Sequence, residues 1–385
     1  MRGRRRARRA GDAQPKNKEG QSGLSVECHR PDSSTAQLLW PQEEIVSESL
    51  LNRQAAVRAR ARFYTIIREY FASQGFDEVE TPLLVPAPGM EPHIRAFEAQ
   101  FIPETPEGRE CTLYLHTSPE YAMKRLLAEG FERVFQLCKV FRNGEIAQIH
   151  NPEFTMLEYY RAHADYTAIM DDLEEVVVRG ARAFGREDAL VVAGKRVSLA
   201  RPFERLTVRD ALLSRTGLDL AKLTTGEALR EGARERGLHV PGEGGSFDDV
   251  FFQVFLTAVE PTLGFERPTF LVDYPVSMAS LARIKPSEPS VAERVEMYLG
   301  GVELANGFSE LTDAAEQRQR LVEEQELRRA NGMPVYPLDE RFLEAVGRMP
   351  PSAGIAVGVD RLLMLLLGAE RIDQVLLFPA RGFFE

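Results

Sequence analysis

Cysteine is scarce in this chain: the 385 residues contain Cys28, Cys111 and Cys138 and no other cysteine. The three positions lie far apart and form neither a CxxC pair nor the cysteine–histidine spacing of a zinc site. The pattern therefore indicates neither a disulfide framework nor a zinc site, and it suits the reducing environment of the cytoplasm.

Long apolar runs and an excess of basic charge are also missing. No stretch approaches the ~20 apolar residues that a membrane-spanning helix needs, and the N-terminus lacks the apolar core of a secretory signal. The 48 Lys and Arg residues face 58 Asp and Glu residues, which gives a formal net charge of −10 at pH 7. We therefore expect a cytoplasmic protein that does not enter a membrane and whose default partner is not nucleic acid, although a local basic patch is compatible with this charge.

The composition is typical of a globular chain, with 44% hydrophobic and 28% charged residues,. Residues 1–45 differ, because they are rich first in Arg and then in Gly, Pro, Ser and Gln and contain little to bury. We predict a mostly disordered basic tail there, which is either a nucleic-acid or targeting arm or a solvated segment without a role, including one produced by a start assigned too far upstream. Residues 46–385 show no linker or internal repeat and predict one large domain.

Helical and strand periodicities alternate along this domain. Apolar residues recur at helical spacing over 47–74, and further helices are predicted at 164–184, 205–217 and 246–263,. Strands are predicted within 75–86 and at 268–275, a hairpin at 293–308, and a strand that leads into a helix at 354–368,. The pattern predicts an α+β fold, an antiparallel sheet flanked by helices.

The segment "VFRNGEIAQIHNPEFTMLEYYR", residues 140–161, places many polar groups between two strand-like ends. Alternation along its second strand sends Phe154, Met156, Glu158 and Tyr160 to one face. A face that mixes aromatic rings with a carboxylate and a phenol is typical of a pocket floor, and an ordinary solvated face is the alternative.

A second polar stretch is "VELANGFSEL", residues 302–311. Alternation predicts two faces, unless Gly307 introduces a bulge: one with Glu303, Ala305, Gly307 and Ser309, the other with Leu304, Asn306, Phe308 and Glu310. Glu296 lies seven residues before Glu303. Two carboxylates across a hairpin either hold Mg²⁺ or are unrelated surface acids.

Two further segments carry candidate residues. In "GIAVGVDRLLML", Arg361 stands where a strand becomes a helix, a place suited to a phosphate or to stacking on a flat ring; packing of an apolar helix is the alternative,. In "LHTSPEYAMKRLL", Ser118 and Glu120 stand near a predicted helix start, where they either cap the helix or serve a site,.

Taken together, these stretches resemble the catalytic core of the class II lysyl-tRNA synthetases. "GFDEVETPLL" is similar to motif 1 of that class, "FRNGEIAQIHNPEFTMLEYY" to motif 2 and "GIAVGVDRLLML" to motif 3, in the family's order. The resemblance runs from about residue 48 to 380, and "HNPEFTMLE" and "ELANGFSEL" are its most specific parts. It implies the class II synthetase fold and activation of an amino acid with ATP.

The resemblance also implies a role for each matching residue. Arg142 and Arg361 would be catalytic, Arg142 by stabilising charge at the α-phosphate and Arg361 by stacking on the adenine opposite Phe154. Glu296 and Glu303 would bind Mg²⁺. Further ATP contacts would come from Asn143, Glu145, Asn151, Glu303, Leu304 and Gly358. The amino-acid pocket would consist of Ser118, Glu120, Glu158, Tyr160, Glu310 and Ala356, whose carboxylates suit a substrate with two ammonium groups.

Departures from the synthetase pattern narrow the resemblance. We expect no anticodon-reading OB-fold before the first helix, and therefore no recognition of the tRNA anticodon. Ser118 and Ala356 replace an alanine and a glycine of the synthetases, and both changes match the truncated paralogues that ligate (R)-β-lysine to a lysine of translation elongation factor P. We therefore predict that family's reaction, with ATP and Mg²⁺ as cofactors and (R)-β-lysine and elongation factor P as partners. Motif 1 forms a two-fold interface in this class, so a homodimer is also predicted.

A third departure lies in motif 2, which reads Arg142-Asn143-Gly144-Glu145 where close relatives often read Arg-Asn-Glu. Glu145 would take over the adenine contact, since Gly144 permits unusual backbone angles. Two alternatives stay open: a synthetase without an anticodon domain that charges tRNA or activates L-lysine, and a catalytically silent regulatory paralogue.

Overall fold

An eight-stranded sheet organises the protein in the computed structural model, which describes residues 53–105 and 108–383. The predicted tail at 1–45 lies outside the described residues and stays a prediction. The helices are α1 (Arg53–Ser73), α2 (Glu120–Ala128), α3 (Tyr166–Ala183), α4 (Val208–Thr216), α5 (Gly226–Glu235), α6 (Phe247–Val254), α7 (Ala314–Ala330), α8 (Glu340–Val346) and α9 (Val359–Leu366). Among the described residues, none of the helices combines the length and apolarity that crossing a membrane requires.

The strands form one large and two small sheets. They are β1 (Asp77–Glu78), β2 (Leu84–Val85), β3 (Phe97–Phe101), β4 (Cys111–Leu115), β5 (Arg133–Phe141), β6 (Glu153–Ala162), β7 (Ala189–Val192), β8 (Lys195–Ser198), β9 (Glu204–Thr207), β10 (Thr269–Pro275), β11 (Val291–Leu299), β12 (Val302–Ser309) and β13 (Ser352–Gly358). The large sheet has the order β1-β5-β6-β13-β12-β11-β10-β9, and the small ones are β2-β4-β3 and β7-β8. The pairs from β5 to β10 in the large sheet are antiparallel, whereas β1 and β9 join its edges in parallel. The predicted α+β class is confirmed, with a sheet that is mixed at its edges.

Several helix ends follow from local sequence. Gly75, at φ +73°, follows the end of α1, a conformation that glycine adopts without strain,. Asp165 caps α3 by accepting from the Thr167 N–H, and Gly217 closes α4 in the left-handed region. These helices confirm the periodicity in the sequence, although residues 47–52 of the first predicted helix lie outside the described residues.

The helix predicted at 246–263 is interrupted. Its first part is α6, which begins with a capping box between Ser246 and Asp249,. The helix then widens to a π-turn at Phe255–Val259 and tightens to a 3-10 turn at Glu260–Thr262. The predicted helix is present, but the sequence did not predict these changes of helical geometry; Pro261, which has no N–H to donate, stands within the 3-10 turn,.

The two faces of the large sheet differ in what covers them. On one face α1, α3 and α9 contribute to the main apolar core, and residues such as Leu157, Tyr159 and Ile355 reach it from the strands. On the other face three smaller apolar clusters include Tyr298, Phe308 and Tyr160 respectively. The centre of this second face is therefore bordered by apolar residues without being filled by one continuous core.

Gly180 on α3 tests how closely the covering helices pack. A Cβ atom at this position would lie 2.7 Å from Phe63 Cε2 on α1 and 2.9 Å from Leu366 Cδ1 on α9. Replacing a helical Gly by Ala gains about 1 kcal/mol of propensity, whereas overpacking a core costs about 1–3 kcal/mol. We expect Gly180→Ala to lower the free energy of unfolding by about 1 kcal/mol in urea denaturation.

The matched control is the same substitution in a Phe63→Leu background. The smaller side chain removes the nearest ring atom but leaves the contact with Leu366, so Gly180→Ala should then destabilise less than in wild type,. Equal destabilisation in both backgrounds would contradict the packing explanation.

Candidate active site

A row of polar and small side chains crosses the centre of the large sheet. Glu158 on β6 pairs in register with Gln136 on β5 and with Ala356 on β13. Ala356 pairs in turn with Asn306 on β12, which is opposite Glu296 on β11. Directly paired residues of neighbouring strands project to the same face, so all five share the face opposite the main core. The face predicted for Glu158 is thereby confirmed.

One face assignment from the sequence was wrong. Tyr298 pairs with Glu303, but the preceding Met297 pairs with Ala305, so Leu304 is an extra residue in β12. This bulge lies three residues before Gly307, where the sequence had suggested one, and it shifts the alternation. Glu303 consequently shares the polar face with Asn306, and Leu304 points into the main core with Ala305.

Strand β13 provides a shallow trough on this face. Its residues that project there are Gly354, Ala356 and Gly358, none of which extends beyond Cβ. A Cβ at Gly354 would lie 2.1 Å from Tyr160 Cε1, so the Tyr160 ring lies over that glycine. The small residues leave space between the larger side chains of β6 and β12.

Glu158 is a buried carboxylate with two hydroxyl donors. Ser118 Oγ donates to its Oε2 and Tyr160 OH to its Oε1, both at 2.6 Å. Burial, reinforced by the nearby Glu120 carboxylate, raises the pKa of Glu158 to about 8,. Ser118 also accepts from the Glu120 N–H at 3.1 Å, so it stabilises the start of α2 while it holds Glu158.

Glu310 and Glu120 face each other across a lysine that the sequence analysis did not select. Lys124 Nζ lies 2.6 Å from Glu120 Oε1 and 2.5 Å from Glu310 Oε2. Glu310 is fully buried, and burial raises its pKa to about 8 even though the Lys124 ammonium opposes the shift. The signal in the sequence was the spacing of Glu120 and Lys124, four residues apart on one helix.

Glu296 and Glu303 form a second pair of acids. Glu296 receives hydrogen bonds of 2.6 Å from Arg294 and from Tyr298 OH. Glu303 is half-buried, and withdrawal from water together with the Glu296 charge raises its pKa to about 7,. No described side chain donates a hydrogen bond to the Glu303 carboxylate. Such a pair fits Mg²⁺, which takes one or two protein carboxylates and completes its shell with water and phosphate oxygens.

Arg142 stands at the turn of the β5–β6 hairpin. Its guanidinium lies 5.2 Å from the centre of the Phe154 ring and 3.7 Å from Glu145. Its Nε is buried and has no hydrogen-bond partner among the described residues. A buried, unpaired cationic donor is costly, and a phosphate oxygen would satisfy it. Asn143 next to it is exposed and is anchored through its backbone N–H to Arg95 O.

Arg361, in the first turn of α9, connects the hairpin with β12. It donates to Ile149 O at 3.2 Å and to Glu303 O at 3.0 Å. Burial lowers the pKa of Arg361, and the Glu303 carboxylate opposes that shift. Gly358 precedes the helix, and a Cβ atom there would make only an ordinary contact of 3.7 Å with Arg361 Cδ. The guanidinium is thus held beside the second acid pair.

The Asn151 side chain makes hydrogen bonds to backbone groups with both atoms of its amide. Its amide nitrogen donates to Glu153 O at 2.6 Å, and its oxygen accepts from the Ala380 N–H at 2.8 Å. Both ends of the side chain therefore bind backbone and fasten the C-terminal segment to the hairpin. A contact between Asn151 and a nucleotide stays a prediction.

The structure brings the remaining predicted residues into two neighbouring groups. One group contains Ser118, Glu120, Glu158, Tyr160 and Glu310, and the other contains Arg142, Glu145, Phe154, Glu296, Glu303 and Arg361. Besides Lys124, sequence reasoning missed Arg294, which binds Glu296, and His150, whose pKa is lowered by burial and by the nearby Arg361 charge. The alternating pattern of β11 placed Arg294 on the face of Glu296, a signal that was available but not used.

Comparison with known proteins gives consistent results. The family model described as tRNA synthetases class II (D, K and N) matches residues 42–382. A relative from Salmonella arizonae named elongation factor P--(R)-beta-lysine ligase is 42% identical over 322 residues, which cover 83% of this chain and 93% of the relative. Relatives with the same name from Salmonella typhi and Edwardsiella ictaluri are 41% and 42% identical with the same coverage.

The hydrogen bond from Ser118 to Glu158 gives a prediction about protonation. A hydrogen bond to the ionised carboxylate favours ionisation, so Ser118→Ala should raise the pKa of Glu158 above its value of about 8,. The titration can be followed by NMR on protein labelled at the glutamate side-chain carboxyl carbons, with Glu158→Gln to identify the resonance.

Ser214→Ala is the control, because among the described residues its hydroxyl donates to the Ala211 carbonyl within α4 and to no other group. It should leave the titration of Glu158 unchanged. An unchanged or lower pKa in Ser118→Ala would show that Ser118 does not stabilise the carboxylate.

Proposed function

The chain belongs to the class II tRNA synthetase family (D, K and N), and from this membership we propose that it is an ATP-dependent ligase. It activates (R)-β-lysine and transfers it to a lysine side chain of elongation factor P. The relatives that carry this name are about two-fifths identical to the chain and are covered over 93% of their length.

The observation that carries the proposal is the group of buried and partly buried acids around β13. Glu158, Glu310 and Glu120 converge on the trough, and within the described residues Lys124 is the cation that touches two of them. Buried carboxylates require cationic partners, and a diamine supplies two ammonium groups. The pocket therefore suits a lysine-like amino acid better than a neutral one.

The second group of residues suits activation of the substrate carboxylate. A carboxylate oxygen attacks the α-phosphorus of ATP, the bond from that phosphorus to the oxygen leading to the β-phosphate breaks, and pyrophosphate leaves. Arg142 stabilises the negative charge that develops at the phosphorus with its unpaired Nε,. Phe154 and Arg361 would hold the adenine between a ring and a guanidinium.

Transfer to the protein needs no covalent enzyme intermediate. The unprotonated ε-amine of the target lysine attacks the acyl carbon, the bond from that carbon to the AMP oxygen breaks, and the nitrogen loses a proton to water. The products are an amide and AMP. The pocket residues keep both substrate ammonium groups paired, which leaves the acyl carbon of the adenylate as the reactive centre.

Mg²⁺ would be held by Glu303 and Glu296. Their shared face and the raised pKa of Glu303 are features of a site that accumulates negative charge and gains from a cation,. A bound Mg²⁺ supplies charge neutralisation at the phosphates. Arg294 and Tyr298 orient Glu296 for this role.

We also infer a homodimer that uses the segment around β1 and β2. Leu83 and Leu84 in this segment are 40% and 42% exposed, and the motif it resembles forms a two-fold interface in the family,. Sedimentation of the full chain tests this inference directly: a monomer at micromolar concentration would contradict it.

The first experiment measures ATP–pyrophosphate exchange with (R)-β-lysine and L-lysine, followed by the mass of elongation factor P after incubation. We expect exchange with (R)-β-lysine and a gain of one lysyl group on the factor. Exchange with L-lysine followed by transfer only to tRNA would instead support an abbreviated synthetase, and absence of exchange with either amino acid would support a silent paralogue.

The second experiment tests the metal site. Glu303→Gln keeps the shape of the side chain and removes its charge, so the Mg²⁺ concentration for half-maximal exchange should rise at least about tenfold, equivalent to about 1.4 kcal/mol. Glu344→Gln is the control, because this residue lies on the surface of α8 with its side chain 72% exposed. An unchanged Mg²⁺ requirement in Glu303→Gln would exclude Glu303 as a ligand.

A further inference from the structure

Lys124 has unusual surroundings for a lysine. It lies on α2, its side chain is 1% exposed, and its Nζ contacts one oxygen of Glu120 and one of Glu310. The rings of Phe308 and Phe342 lie nearby, and the centre of each ring is 5.9 Å from Nζ. A lysine is rarely buried unless it is paired, and here both partners are acids of the substrate pocket.

The contact with Lys124 leaves the Glu310 carboxylate able to accept hydrogen bonds from a ligand. Within the described residues, neither oxygen of the buried Glu310 carboxylate receives a hydrogen bond of acceptable geometry, despite the short contact with Nζ. Glu310 is therefore neutralised in part by Lys124 but remains able to accept from another ammonium. With Glu120, Glu158 and Glu310 all ionised, the three acids and Lys124 would carry a net charge of −2, which two substrate ammonium groups would neutralise.

We propose that Lys124 is a positioning residue for the amino-acid pocket. Its ammonium fixes Glu120 and Glu310 at the trough and favours the ionised form of Glu310, so that a diammonium substrate meets carboxylates that are already oriented. The inference rests on the proposed function for the identity of the substrate, but it applies equally to (R)-β-lysine and L-lysine, since both carry two ammonium groups.

A positioning role of Lys124 predicts the direction in which the pKa of Glu310 changes when the lysine charge is removed. Burial raises the pKa of Glu310 and the Lys124 charge opposes that rise, so removal of the charge raises the pKa further,. A carboxyl with a higher pKa stays neutral to a higher pH, and a neutral carboxyl binds ammonium weakly. The charged and titratable groups around this pair are Glu120 on α2, Glu158 and Tyr160 on β6, Arg320, Glu324 and Arg328 on α7, and Glu91 and Arg142 in the adjoining loops.

The decisive variant is Lys124→Met in the full chain, because methionine has a similar unbranched shape and no charge. In ATP–pyrophosphate exchange from pH 6 to 9, we expect the acidic limb of kcat/KM for the amino acid to move to higher pH. At neutral pH the KM for the amino acid should rise about tenfold or more, as for a pKa change of about one unit. The KM for ATP should stay within about twofold, which is ~0.4 kcal/mol.

Lys285→Met is the control for loss of a partly buried ion pair. Lys285 Nζ lies 2.5 Å from Asp273 Oδ2, and neither residue belongs to the pocket. This variant should lose stability without moving the acidic limb. If Lys124 served folding alone, Lys124→Met would also lose stability without moving the acidic limb of kcat/KM. An unmoved acidic limb in Lys124→Met would therefore overturn the proposal.

Chemical rescue distinguishes loss of the Lys124 ammonium from misfolding of the variant. Lys124→Ala removes three carbons and the ammonium, so n-propylammonium can occupy the vacated space, and 1-propanol supplies the carbons without the charge. Recovery of exchange with the amine alone, in the variant but not in wild type, supports the proposal. Equal effects of both compounds, or none, would oppose it.

A final readout needs no turnover. NMR titration of Glu310 in Lys124→Met without any substrate should show a higher pKa than in wild type. If wild type activates neither lysine, the proposed function fails while this titration still decides the role of Lys124. If wild type is active and the titration is unchanged, the inference about Lys124 fails alone.

Discussion

The constraint on which this structure depends is the burial of negative charge at the centre of a sheet. An ionised carboxylate loses several kcal/mol of hydration when it enters a protein interior, and it persists only with cations or hydrogen-bond donors around it. Glu158 is held by two hydroxyl groups, Glu310 by Lys124, and Glu296 by Arg294 and Tyr298. The positions of these donors decide which acids are ready for a ligand and which are already satisfied.

The two faces of the sheet differ in role: one packs the main apolar core, and the other carries the polar groups of the site. The main core covers one face, so the strands stay fixed even though polar groups occupy the centre of the other. Strand β13 adds only small residues to the polar face, which separates the acids on β6 from those on β12. The bulge at Leu304 then turns Glu303 toward Glu296, and Arg361 fastens the hairpin loop beside this pair.

Much of this was accessible from the sequence, because periodicity and motif spacing are local. Helical spacing predicted α1, α3 and α4, and alternation placed Glu158 on the correct face. Family resemblance selected residues that the fold does bring together. The face of Glu303 was predicted wrongly, since a single inserted residue inverts alternation and leaves no distinctive trace in composition,. The assignment of Asn151 to a nucleotide stays a prediction; in the structure its amide nitrogen donates to the nearby Glu153 O, and its oxygen accepts from the distant Ala380 N–H.

The sequence by itself determined the α+β class, the main helices, the acids and arginines available for chemistry, and the family to which the chain belongs. These properties follow from residue type and from spacing along the chain. Only the tertiary structure decided which charges meet. Lys124 and Glu310 are separated by most of the domain in sequence, yet their side chains lie 2.5 Å apart. The physical reason is that electrostatic partnership and desolvation depend on distances through space, which sheet register and helix packing set.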